Sequence, residues 1–206
     1  RDRGSTLALA YGQAYPERCL AFILRGIFLC RPQEQDWFLK GSRIFYPQEW
    51  EQFTALIPPE ERSDIMKAYG TRVMDPDTTI HREAALTYIQ YEGHLGAFFP
   101  ETYELGPEDV DFALTLARLE LHYFQHKGFF EENQLLKNMN LIQHLPCTII
   151  QGRYDMVCPP ISAFELHQKW PQSKLIIVPD GGHSAWDGGM TRVLIQATKD
   201  FENLLG

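Results

Sequence analysis

Two short runs end in residues that could do chemistry together. In PCTIIQGRYD an apolar, strand-like run meets a glycine turn and then presents Asp155. In KLIIVPDGGH a second such run ends in Asp-Gly-Gly, and His183 follows. In open α/β sheets ligands and reacting groups gather at the carboxyl ends of parallel strands. An acid beyond one strand and a histidine beyond the next could act as a pair. The carboxylate would fix the imidazole's tautomer, and the imidazole would serve as general base. Each residue also has a plainer reading. Asp155 could cap its turn and the helix that starts near Pro160, and His183 could be a surface loop residue. Taken in order, acid then histidine, they match the last two members of a Ser…Asp…His triad.

Two further carboxylates stand where apolar residues belong. On a helical wheel of Asp109–Phe124, Asp111, Thr115, Arg118 and His122 form a polar stripe. Glu120 falls opposite it, flanked by Ala113, Leu116, Ala117 and Tyr123. On the wheel of Ile80–Glu92, Glu83, Thr87 and Gln90 are the polar side, while Glu92 sits with Ala85, Tyr88 and Ile89. A buried carboxylate without a partner costs several kcal/mol, so such groups are paired or functional. Pairing with Arg82 or Arg118, or snorkelling of Glu92 at a helix end, is one reading. A pocket awaiting a cation from the substrate is the other. His122 and His126 have the spacing of some zinc pairs, but no Glu follows His122 and no third ligand is evident. No metal and no cofactor are expected.

The nucleophile of such a triad belongs on a G-x-S-x-G elbow upstream of both partners. The chain opens Arg1-Asp2-Arg3-Gly4, so Gly4 can be the elbow's last glycine and Asp2 falls in the nucleophile slot. Ser5 and Thr6 lie past the elbow and suit helix capping. Asp2 raises a second chemistry, because epoxide hydrolases and haloalkane dehalogenases use an aspartate nucleophile and pass through an ester.

These residues need a scaffold. CLAFILRG (strand Leu20–Leu24), PCTIIQG and KLIIVPD read as parallel strands covered on both faces. A helix over Leu7–Tyr11 precedes the first and Pro16 closes it; Ser162–Trp170 and Met190–Leu205 follow the other two. Between them, Pro47–Leu56, Pro58–Met74, Pro76–Glu92 and Pro107–Phe124 read as helices with proline in or near the first turn. The expected fold is α/β: the C-terminal half of an α/β-hydrolase parallel sheet domain with an inserted all-helical cap. Residues 1–30 and 140–206 would be the incomplete core and residues 31–139 the cap. A sheet left open at its edge would pair with its missing N-terminal half or with a second copy in a homo-oligomer. A non-catalytic truncated or split fragment is the alternative to an enzyme.

The 206 residues are 44% hydrophobic and 22% charged, with a net charge of −8. That charge, without any basic run, argues against nucleic acid. No apolar stretch approaches the roughly 20 residues of a membrane span, and no signal peptide is expected. Cys19, Cys30, Cys147 and Cys158 show no Cys-x-x-Cys spacing and read as free thiols, so the cytoplasm is the expected compartment.

With these residues assembled, the chain resembles the proline iminopeptidases (prolyl aminopeptidases), serine peptidases of the α/β-hydrolase superfamily. GSTLALAYGQAYPER resembles the helix after the family's elbow; LRGIF, PQEWEQF and IPPEER resemble the start of its cap. YEGHL, DFALTLARLELHYF, QLLKNMNLI, GRYDMVCPP and GGHSAW match its later motifs in order. The resemblance implies that Asp155 is the triad acid and His183 the base. It implies that Glu92 and Glu120 bind the imino group of a peptide's N-terminal proline, which is then released without a metal. Where the family has Gly-Ser-Trp, this chain has Arg1-Asp2-Arg3. The nucleophilic serine is therefore expected to be absent and the isolated chain inactive.

Overall fold

The computed structural model describes residues 3–98, 103–187 and 189–205. In chain order the elements are α1 (Arg3–Ala14), β1 (Phe22–Arg25), α2 (Pro32–Asp36), α3 (Pro47–Ala55), α4 (Ile65–Val73), α5 (Thr78–Gly96) and α6 (Val110–Gln125). They continue with α7 (Gln134–Lys137), β2 (Cys147–Gly152), α8 (Pro160–Gln168), β3 (Ser173–Val178) and α9 (Met190–Leu205). The chain divides into two compact units, residues 1–34 with 130–206 and residues 35–129.

The first unit is built on a parallel sheet in the order β1-β2-β3. Its register sets Phe22 beside Cys147 and Cys147 beside Ser173, and ends with Gly152 beside Val178. Alternate residues of the strands feed opposite faces. Phe22, Leu24, Cys147 and Ile149 join Leu9 of α1 and Ala163 and Leu166 of α8 in one core. Ile150 and Val178 meet Met190 and Ala197 of α9 in another. Burial on both faces is why β2 reads as an unbroken apolar run. Trp170 closes the first core: fully buried, it meets Phe22 edge-on and gives its indole N–H to the Leu145 carbonyl.

The second unit is helical and organised around aromatic rings. Phe53 of α3 stacks on Tyr69 of α4 (4.6 Å) and on Tyr91 of α5 (4.2 Å). Both tyrosines satisfy their hydroxyls internally, Tyr69 on the Phe53 carbonyl and Tyr91 on the Ser42 hydroxyl. Such rings are buried with their polar handle intact.

Three local expectations are corrected. The helix expected over Pro58–Met74 is a 3-10 turn (Pro59–Asp64) followed by α4. Asp64 breaks it by leaving helical geometry and accepting the Lys67 N–H on its side chain, as an N-cap does. The strand expected from Leu20 begins at Phe22 instead, and Leu20 is exposed. Ser5 and Thr6, expected to cap α1, direct their hydroxyls to the segment leaving β1. Ser5 Oγ donates to the Gly26 carbonyl and accepts the Phe28 N–H, and Thr6 donates to the Phe28 carbonyl. Both hydroxyls tie α1 to the segment leaving β1.

Candidate functional site

β2 and β3 end side by side, and their carboxyl ends are laced together. The Arg153 N–H donates to the Val178 carbonyl and the Tyr154 N–H to the Gly181 carbonyl, each at 2.9 Å. Gly152 makes this approach feasible, since a Cβ there would lie 2.0 Å from the Gly182 carbonyl oxygen.

The lacing brings Asp155 and His183 into contact. Asp155 is buried, and its carboxylate is ringed by donors. Oδ1 accepts the N–H groups of Val157 (3.1 Å) and Cys158 (2.7 Å), and Oδ2 accepts the Gln151 side-chain amide (3.0 Å). These bonds offset the cost of burying a carboxylate and fix its plane. His183 Nδ1 lies 3.0 Å from both carboxylate oxygens. In the neutral ring the proton therefore sits on Nδ1, because the carboxylate only accepts.

The imidazole is also held from β1. Gly26, which follows the strand, adopts a positive φ of 55°, and a Cβ there would come within 3.0 Å of the His183 ring. Arg25 donates to the His183 backbone carbonyl. In the loop beyond, Asp187 accepts the Ser184 N–H at 3.2 Å. Burial pushes the Asp187 carboxyl above its ordinary range; N–H groups of Ser184 and Gly182 and the nearby His183 pull it back, and Asp155 adds to the rise. Arg25, Gly26, Gln151 and Asp187 escaped the sequence reading. The one local signal was an arginine and a glycine at the carboxyl end of a strand.

Glu92 and Glu120 lie in the helical unit, on the packed helices α5 and α6. Both are buried, 7% and 5% exposed. The Tyr88 hydroxyl donates to Glu120 Oε1 at 3.4 Å. Arg118, one partner the sequence suggested, directs its Nε to the Val73 carbonyl. His126 turns Nδ1 to the His122 carbonyl and stacks on Phe129, so that nitrogen serves the helix end. Among the described residues no three or more His, Cys, Asp or Glu side chains cluster as metal ligands, and no helix is long and apolar enough to cross a membrane. All four cysteines are free thiols. Asp2, the occupant of the nucleophile slot, lies outside the described residues.

No family model matches the chain. It is 46% identical over 201 residues to a probable proline iminopeptidase of Leptolyngbya boryana, covering 96% of this chain and 63% of that protein. It is 43% identical over 207 residues to a proline iminopeptidase of Arabidopsis thaliana (98% and 54%). Against a proline iminopeptidase of Neisseria gonorrhoeae it is 38% identical over 200 residues (96% and 63%). The resemblance read from the motifs thus extends over nearly the whole chain, which spans between half and two thirds of these relatives' length.

Proposed function

We propose that this chain, a relative of proline iminopeptidases, carries the acid and base of an aminopeptidase that releases N-terminal proline from peptides by Ser-Asp-His catalysis. One observation carries the reading: His183 Nδ1 set 3.0 Å from both oxygens of the buried Asp155, at the ends of adjacent parallel strands. Within it, the sheet unit is the C-terminal half of an α/β-hydrolase core and the helical unit its cap, with the cytoplasm as the working compartment.

Each role follows from chemistry. A serine hydroxyl attacks the scissile carbonyl and passes its proton to His183 Nε2. Asp155 stabilises the imidazolium and keeps it oriented. The proton then goes to the leaving peptide's amine as the C–N bond breaks, and water hydrolyses the prolyl ester by the same base. Glu92 and Glu120 hold the secondary ammonium of the terminal proline through charge-assisted hydrogen bonds, which explains two carboxylates on apolar helix faces. The reading takes the attacking serine from an elbow-bearing segment joined to the chain, because the nucleophile slot of this sequence holds Asp2.

The test is hydrolysis of proline-β-naphthylamide by the chain alone and by the chain joined to an N-terminal segment that carries a strand and a G-x-S-x-G elbow. Cleavage by the joined form, lost in His183→Gln, is expected. A joined, folded form that cleaves no prolyl amide overturns the proposal.

A further inference from the structure

We propose that Arg25 and Asp187 are positioning residues that grip one peptide unit at both ends and thereby seat the His183 ring on Asp155. The proposal deepens the Asp–His reading above and rests on it. Arg25, the last residue of β1, donates its guanidinium N–H to the His183 carbonyl oxygen. Asp187 accepts the N–H of Ser184 at 3.2 Å. That carbonyl and that N–H belong to the same planar peptide. A cation therefore sits at the negative end of its dipole and an anion at the positive end, and both bonds are charge-assisted.

A peptide held at both ends cannot rotate, so the Cα of His183 and the direction of its side chain are fixed. The ring is then bounded by Asp155 at Nδ1 and by Gly26, whose missing Cβ leaves room only 3.0 Å from Cε1. Gly26 is itself anchored, its carbonyl accepting from Ser5. Three strand ends thus converge on one histidine: β1 ends in Arg25 and leads to Gly26, β2 leads to Asp155, and β3 leads to His183 and Asp187. None of Arg25, Gly26 and Asp187 needs to touch substrate to do this.

The experiment reads the ring directly. Long-range 1H–15N spectra of the 206-residue chain, at mildly alkaline pH, report which nitrogen of His183 carries the proton, with His183→Gln assigning the signal. The wild-type ring is expected to hold the Nδ1–H tautomer. Arg25→Met and Asp187→Ala are expected to lose that preference and give a mixture, while Arg25→Lys recovers it. Thermal unfolding of each variant is followed alongside, because a residue with a structural role alone would lower the melting temperature and leave the tautomer unchanged. A wild-type ring without the preference overturns the proposal, as does one whose preference survives in Arg25→Met. Should Arg25→Met not fold, retention of the tautomer in Asp187→Ala overturns it equally. Failure of the peptidase reading would look different: a correctly seated ring in a protein that never cleaves prolyl amides.

Discussion

The backbone of Gly182 stands where a side chain at residue 152 would be: a Cβ on Gly152 would lie 2.0 Å from the Gly182 carbonyl oxygen. The obstacle is backbone, and the Val178 and Gly181 carbonyls just before it are bonded to Arg153 and Tyr154, so it cannot readily swing aside. Gly152→Ala is therefore expected to destabilise the fold by about 2 kcal/mol or more, through overpacking. Gly4→Ala, with nothing within 4 Å of its new methyl among the described residues, is expected to be neutral or to stabilise by up to about 1 kcal/mol through helix propensity. Urea unfolding of both variants checks the contrast.

Glu92 and Glu120 are proposed to bind a cation. In the elbow-completed form, Glu92→Gln and Glu120→Gln are each expected to raise KM for a prolyl amide roughly ten- to a hundredfold. That is the worth of one hydrogen bond to a charged group, about 1.5–3 kcal/mol. Buried glutamine keeps the shape, so unfolding midpoints should move little. Unchanged KM in both variants would remove the acids from substrate binding.

The Asp187 carboxyl, raised by burial above its ordinary value of 3.8, makes a pH prediction. Over the interval between the ordinary and raised values the folded state holds more proton than the unfolded one. Stability therefore falls as pH rises through that interval, and the cost is fully present above it. Asp187→Asn cannot titrate. Its stability relative to wild type should improve as pH rises from 3.8 and then level off. Denaturant melts across that range measure the difference, and a flat difference would contradict it.

Much of this was legible because it is local. Three parallel strands show as short apolar runs, and two buried acids show as errors in a helical period, Glu92 among Tyr88 and Ala85 and Glu120 among Ala113 and Ala117. Asp155 and His183 stand at strand ends, where chain order alone suggests pairing. What stayed hidden depends on contacts between distant segments. Arg25 reads as a strand terminus until the His183 carbonyl is placed beside it. Ser5 and Thr6 read as caps because the Gly26–Phe28 backbone, their actual partner, arrives from beyond the next turn. Asp64 looks like one polar residue in a helix until its carboxylate takes the Lys67 N–H and starts a new one.

The most direct measurement of the central claim is kcat/KM for proline-β-naphthylamide, with Asp155→Asn and His183→Gln set against the unaltered residues in the elbow-completed form. With the couple acting as acid and base, Asp155→Asn should cost about 10⁴-fold in kcat by stranding the imidazole in the wrong tautomer. His183→Gln should cost at least as much. The chain alone should show no turnover. Prolyl cleavage that survives either substitution within a few-fold would contradict the account.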